Sequence, residues 1–165
     1  MPQAARVTDL TVHPLPGVLN PGPGSINVLV GFLPAWRGIP AAAAAALQAQ
    51  KQISDATIQV AEAATLAAAG TPGLPAAEAT EQSVKEAAAA AMGASVSAAA
   101  AASGTDIHVC ETLLPLPPHG PGVVIDASTT VLINNLPAAR VGDHVLEAVG
   151  PLNMIAVGCL TVEIG

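Results

Sequence analysis

The chain has 165 residues, enough for one domain with a real core or for a small domain with an elaboration, but too few for two large domains. Hydrophobic residues make up 52% of it and aromatic residues only 1%, so much of its mean hydropathy of +0.56 comes from alanine. Lysine and arginine number 5 against 12 acidic residues, a net charge of −7. This charge disfavours nucleic acids and anionic membrane surfaces as partners, because both require clustered basic residues.

A short strand-like segment occurs three times along the chain. Residues 25–31 (SINVLVG) recur as residues 128–134 (STTVLIN) and as residues 159–165 (CLTVEIG). Each copy is too short to bury an apolar face alone, whereas three copies around a common axis can cover one another. The pattern predicts a mainly β, cone-shaped, three-sided fold. We expect strands at 26–30, 123–125, 130–133 and 160–164, with corners at the Pro-Gly pairs.

Each repeat is accompanied by an element in which an arginine is followed, three residues later, by an aspartate. The element is continuous at residues 4–9 and 138–143, but in the middle copy an alanine-rich stretch separates Arg37 and Gly38 from Asp106. Removing this stretch restores Arg-Gly-x-Asp. We therefore predict a discontinuous β unit formed by residues 1–39 and 104–165, with residues 40–103 inserted into it.

The insert is predicted to be an antiparallel α-helical hairpin. Residues 41–69 and 76–102 are almost all good helix formers, and the Gly- and Pro-rich residues 70–75 can reverse the chain. Ile53 and Val60, with alanines at 49, 56 and 63, predict the seam between the helices. A membrane-interacting hairpin is the alternative, although the uncharged run 87–102 is shorter than a bilayer span and contains Gly and Ser.

Four residues are candidate metal ligands. The residues four positions beyond the three aspartates are His13, Cys110 and Glu147, and equivalent positions of a three-sided fold converge on its axis. His108 and His119 lie near Cys110 in the sequence and complete a set of three histidines and one cysteine, which suits structural zinc. The alternative is a group of ordinary turn histidines and a buried thiol.

Two further residues of metal-binding type are left out of this set. His144 has apolar counterparts in the other two copies, and Cys159 occupies the position of Ser25 and Ser128, where a small packing residue suffices. Two cysteines are also too few for a disulfide scaffold. Residues 1–7 lack the features of a secretory signal, so we expect any export to use another route.

The sequence favours a protein that is not an enzyme. It contains no His-Glu-x-x-His, no Gly-x-Ser-x-Gly and no phosphate-binding Gly-x-x-x-x-Gly-Lys motif. A zinc ion with four protein ligands cannot activate water. A zinc-dependent hydrolase remains the alternative, and an open coordination position on the metal would distinguish it.

Together these elements resemble the PAAR-repeat family, named after the tetrapeptide found here at Pro137-Ala138-Ala139-Arg140. The resemblance extends over residues 4–38 and 104–165 and includes the repeated strands, residues 118–120 and residues 158–162. This chain departs from the pattern in having Trp36 at an alanine position and a hairpin inside the second repeat. Members of the family are cone-shaped tips on the trimeric valine-glycine-repeat (VgrG-type) spike of the type VI secretion system.

The resemblance implies a structural function for this chain. It implies that a structural zinc near the apex is bound by His13, His108, Cys110 and His119, and that the protein caps and sharpens the spike. It also implies that the protein stays in the bacterial cytoplasm until the type VI apparatus secretes it. We expect no fused toxin domain after Gly165, so the hairpin is the candidate docking surface for a separately encoded effector or adaptor.

Overall fold

The computed structural model describes residues 1–12, 17–110 and 119–165, except for the side chain of Cys110. Most of its elements are short strands, which confirms the prediction of a β fold with a helical insert. The strands are β1 (Gln3–Ala4), β2 (Leu10–Thr11), β3 (Gly17–Val18), β4 (Pro21–Gly22), β5 (Leu29–Val30), β6 (Leu33–Pro34), β7 (Ile107–Cys110), β8 (Gly120–Val124), β9 (Leu132–Ile133), β10 (Leu136–Pro137), β11 (His144–Glu147), β12 (Asn153–Met154) and β13 (Cys159–Glu163). The helices are α1 (Ala41–Ala67) and α2 (Leu74–Ser103).

The largest sheet has five strands in the order β12-β11-β8-β7-β4, and all of its neighbours pair antiparallel. Two Pro-Gly pairs that were predicted as corners lie inside it instead, Pro21-Gly22 in β4 and Pro121-Gly122 in β8. Pro21 is tolerated because β4 is an edge strand. Pro121 is tolerated because the pairing of β8 with β11 ends at Gly122, so no backbone N–H is needed at Pro121 on the side of β11.

Three equivalent residues form a closed ring of backbone hydrogen bonds. The amide of Ala5 donates to the carbonyl of Ala139 at 2.9 Å, that of Ala139 to Trp36 at 3.0 Å, and that of Trp36 to Ala5 at 2.9 Å. A cycle of three equivalent donors and acceptors defines a pseudo-three-fold axis. The three-sided arrangement predicted from the repeats is therefore present in the backbone itself.

The repeat segments also contact one another in a cycle. Ser25 Oγ donates to Asn134 Oδ1 at 2.7 Å, and Ser128 Oγ donates to the carbonyl of Gly165 at 2.6 Å, so the first residue of one copy bonds the last residue of the next. Cys159 takes the place of serine in the third copy. Gly31, the last residue of the first copy, packs against it, since a β-carbon built on Gly31 would lie 3.0 Å from Cys159 Sγ. The third contact of the cycle is therefore a packing contact and not a hydrogen bond.

Two core clusters lie on either side of the backbone ring. The repeat cluster contains Ala4, Val30, Ala35, Ile133, Ala138, Cys159 and Ile164, and the axial cluster contains Ala5, Leu19, Trp36, Val124, Ala127, Ala139, Val145 and Ile155. Consecutive residues of each Ala-Ala element thus belong to opposite clusters. Trp36, which replaces alanine, is completely buried and fills space in the axial cluster.

The hairpin packs against the five-stranded sheet through a third cluster. This cluster joins Ala44, Leu47, Met92, Val96 and Ala100 of the helices to Ile39, Val123, Ile125, Leu146 and Ala148 of the β unit. Gly93 lies at this contact, and a β-carbon there would be 3.5 Å from Pro121 Cδ, an ordinary van der Waals distance. The half of the hairpin nearest its insertion point therefore packs on the β unit, a contact that the sequence left open. The boundaries 1–39, 40–103 and 104–165 stay a prediction.

The seam between the helices differs from the predicted one. Ile53 and Val60 are 70% and 72% exposed, and alanines 49, 56 and 63 are exposed too. The buried and half-buried positions of α1 include 44, 47, 51, 54, 58, 61 and 65. The alternating spacing of three and four is present with a shifted phase, because Ala44 and Leu47 must face the sheet and so fix the rotation of α1.

The ends of the helices differ slightly from the predicted ones. α2 begins at Leu74 with Pro75 in its first turn, where a missing N–H breaks no hydrogen bond. It ends before Gly104, whose φ of 73° is the left-handed conformation common after helices. Over the ranges that the structure describes, neither helix combines the length and apolar character needed to cross a membrane.

Candidate metal centre

Three strands that lead toward the candidate site each begin directly after a buried aspartate held by an arginine. The pairs are Arg6–Asp9, Arg37–Asp106 and Arg140–Asp143, with Nη2 to Oδ1 distances of 2.8, 2.7 and 3.0 Å. In each pair the backbone amide of the arginine also donates to the same carboxylate. The middle pair shows that the element split by the hairpin is reassembled in space. Burial raises the pKa of Asp143, and the hydrogen bonds from Arg140 oppose this shift.

Two of the four predicted ligands are fully described, and they lie close to each other. His108 belongs to β7, and His119 directly precedes β8, which pairs with β7 through Cys110 opposite Gly120. His13 lies outside the described residues, as does the side chain of Cys110. The complete ligand set therefore stays a prediction.

Glu147 of β11 lies between the two histidines. Its Oε1 is 3.1 Å from His108 Nε2, and its Oε2 is 3.0 Å from His119 Nδ1. Asn153 Nδ2 donates to Oε1 at 3.3 Å. The side chains of Glu147 and His108 are completely buried, and that of His119 is 14% exposed. A carboxylate buried to this extent needs polar partners, and among the described residues the ring of His119 and the amide of Asn153 form hydrogen bonds with it.

Gly122 makes room for these contacts. It is the cross-strand partner of His108 on β7 and of Glu147 on β11, so the three residues form one row across the sheet. A β-carbon on Gly122 would lie 2.9 Å from Glu147 Cγ, closer than such carbons approach. The missing side chain thus lets the glutamate and the histidine meet over the central strand.

The ring of His108 needs a polar partner beyond those that the described residues supply. Its Nε2 approaches Glu147 outside good hydrogen-bond angles, and among the described residues neither ring nitrogen has a hydrogen-bond partner. Buried polar atoms of this kind are rare without a ligand, water or ion. The residues therefore fit a metal at this place. Within the described ranges no group of three or more His, Cys, Asp and Glu side chains can hold one.

Sequence reasoning did not assign a role to Glu147. The signal was present, because Glu147 occupies the repeat position of His13 and Cys110. His144, also left out of the ligand set, pairs instead with exposed Asp126 through Nδ1 and Oδ2 at 2.6 Å. Cys159 is buried in the repeat cluster, where a hydrogen bond with Thr161 lowers the pKa of its thiol.

These features define a three-sided β protein with a buried histidine–carboxylate cluster and a helical hairpin packed on one sheet. The family model described as PAAR motif matches residues 77–146 and 115–165, which together span more than half of the chain. The chain therefore belongs to the PAAR motif family. A search of the curated proteins finds no match. PAAR proteins are in general structural and associated with VgrG-type spikes, and the motif is consistent with a spike-tip type of protein.

Proposed function

We propose that this protein caps and sharpens the trimeric spike of a type VI secretion system as a structural component. The closed hydrogen-bond ring of Ala5, Trp36 and Ala139 is the observation that carries the proposal. A single chain with a pseudo-three-fold axis can place three similar edges against three identical subunits. One tip can therefore close a three-fold spike without breaking the spike's symmetry.

The surface that contacts the spike is proposed to lie on the repeat segments. Their buried apolar residues belong to the repeat cluster, while Ile26, Leu29, Leu132 and Leu160 are exposed, as is Phe32 directly after the first segment; we call these five side chains the repeat surface. Phe32 is 95% exposed and has a φ of 69°, which is unusual for an aromatic residue. Exposed apolar groups of this kind mark interaction sites.

The zinc is proposed to be structural, with His13, His108, Cys110 and His119 as its ligands. The support is the completely buried ring of His108, which lacks a hydrogen-bond partner in the described part of the chain, and its neighbour His119. A zinc ion bound by four protein ligands stabilises the folded chain, because the unfolded chain has no preformed site. We propose that the loaded protein is held in the bacterial cytoplasm and secreted by the type VI apparatus.

Cargo attachment is proposed to use the outer groove of the hairpin. This groove lies between α1 and α2 and is lined mainly by small and apolar side chains, among them Ile53, Thr57, Val84, Ala88 and Ala91. The opposite side of the hairpin is occupied by the sheet, so the groove is the face that an effector or adaptor can approach.

Co-purification of the full chain with its cognate spike trimer tests the proposal. We expect Phe32→Asp and Leu132→Asp to weaken spike binding at least tenfold, because each places a charge on the repeat surface. Ile53→Asp is the matched control, since Ile53 is comparably exposed but lies on the hairpin. It should leave spike binding unchanged and reduce recovery of any cargo. Failure of the full chain to bind, or equal weakening by Ile53→Asp, would overturn the proposal.

A further inference from the structure

Glu147 has the position of a residue that orients metal ligands. We infer that its carboxylate accepts the ring N–H group of His119 at Nδ1, so that His119 binds the metal through Nε2. The inference rests on the proposed zinc centre and assigns a positioning role within it. Its basis is the hydrogen bond between His119 Nδ1 and Glu147 Oε2 at 3.0 Å, which leaves Nε2 as the ring nitrogen that can bind a metal.

The contacts separate this role from that of a fifth ligand. Glu147 Oε2 forms a hydrogen bond with His119 Nδ1 at 3.0 Å, and Oε1 accepts one from Asn153 Nδ2 at 3.3 Å. Both carboxylate oxygens are thus engaged by hydrogen bonds. A carboxylate behind a metal-bound histidine fixes the tautomer and the orientation of the ring.

The repeat explains how such a carboxylate comes to be there. The position four residues beyond the aspartate holds His13 in the first copy and Cys110 in the second, and Glu147 in the third. Two copies therefore contribute predicted ligands, and the third contributes an acceptor. A tetrahedral site needs two further ligands, and His108 and His119 are the predicted ones. The third repeat position, held by Glu147, is therefore not needed for a ligand and can hold a group that supports the ligands.

The carboxylate is itself held in place. Asn153 on the neighbouring strand β12 donates to Oε1 at 3.3 Å, and the missing side chain of Gly122 leaves the space that Glu147 occupies. A zinc ion with one thiolate and three neutral imidazoles has a net single positive charge. A buried glutamate beside the ligands balances this charge where water cannot.

Zinc affinity measured with a competing chromophoric chelator tests the inference on the full chain. Glu147→Gln keeps the shape but turns an amide donor toward a ring N–H, and we expect about 10- to 100-fold weaker zinc binding. Asn153→Ala perturbs the carboxylate more gently and should weaken binding by a smaller factor. Asp126→Asn is the matched control, because it removes a carboxylate–histidine contact at exposed His144, and it should leave the affinity unchanged.

Nitrogen NMR of the zinc-loaded chain provides a readout that altered stability alone would not move. We expect the metal on Nε2 of His119 in the wild type. Metal on Nδ1 of His119, or unchanged zinc affinity in Glu147→Gln, overturns the positioning role while leaving the zinc centre intact. A wild-type chain that binds no zinc overturns the centre itself, and the positioning role with it.

Discussion

Arg37 and Asp106 are 69 residues apart in the chain, yet Arg37 Nη2 lies 2.7 Å from Asp106 Oδ1. The aspartate is completely buried, and it also accepts a hydrogen bond from the backbone amide of Gly24 at 2.8 Å. The pair therefore joins both ends of the hairpin insertion to the first repeat. Because both charged groups are buried, removal of either one leaves the other without its counter-charge.

Removal of this arginine should be more destabilising than removal of its repeat equivalent. Arg37→Ala leaves Asp106 buried without its counter-charge, and we expect the free energy of unfolding to fall by about 3–5 kcal/mol. Arg140→Ala is the control, since Arg140 is 20% exposed and its partner is less deeply buried. Denaturant titration measures both. Equal losses would contradict the special role of the buried pair.

A methyl group at Gly122 should disturb the row formed by His108, Gly122 and Glu147. Gly122→Ala creates a contact of 2.9 Å with Glu147 Cγ, and we expect a loss of about 1–3 kcal/mol together with weaker zinc binding. Gly93→Ala is the matched control in α2, where the nearest atom is 3.5 Å away. Because alanine favours helix, this control should be stabilising by up to about 1 kcal/mol. If both variants are equally stable, the row is not tightly packed.

The contact between hairpin and sheet should account for much of the hairpin's stability. Met92 is 3% exposed and packs in the cluster that joins α2 to the sheet. We expect Met92→Ala to lower the free energy of unfolding by about 2–5 kcal/mol. Leu66→Ala, at a side chain that is 78% exposed, should change it by less than about 0.5 kcal/mol. Thermal unfolding of the two variants would contradict this packing if Leu66→Ala had the larger effect.

Lys85 should support the hairpin only below strongly alkaline pH. Its Nζ lies 2.8 Å from Glu62 on α1 and 2.6 Å from Glu81 on α2, and these hydrogen bonds raise the pKa of Lys85 above 10.5. A raised lysine pKa gives stability that is complete below the unfolded value and is lost as pH rises through the folded one. At pH 8, Lys85→Gln should cost about 1 kcal/mol or less.

The pH dependence of that difference is the measurement. The gap in unfolding free energy between wild type and Lys85→Gln should be constant from pH 7 to pH 9 and should shrink as the pH rises through the raised pKa of Lys85. It should also shrink in high salt, since the ion pairs are partly exposed. A gap that widens with alkaline pH would show that the assigned ion pairs are not the cause.

The three-sided architecture could be predicted because the repeats impose it. Ala5, Trp36 and Ala139 occupy equivalent sequence positions, and equivalent positions could bond in a cycle. The split of the middle element was predictable for the same reason. Asp9 and Asp143 each lie three residues after an arginine, and Asp106 takes this position relative to Arg37 once the insert is removed. These are relationships between residues that the sequence itself displays.

The phase of the helices and the role of Glu147 depend on tertiary contacts. An alanine-rich helix has similar small side chains on all its faces, so its sequence does not define which face is buried. The rotation of α1 is fixed by the packing of Leu47 against the sheet, and Ile53 and Val60 remain exposed. Glu147 acquires partners only when the register of β7, β8 and β11 places it opposite Gly122 and His108. The local sequence pattern predicts neither the register of these strands nor the rotation of α1.

The composition of the spike complex tests the central claim most directly. Native mass spectrometry of the full chain with its cognate VgrG-type spike measures how many chains and zinc ions each trimer carries. Because one chain supplies all three sides of the pseudo-three-fold ring, the account predicts one chain and one zinc ion for every three spike subunits. Three chains per trimer, or a trimer that binds none, would contradict it.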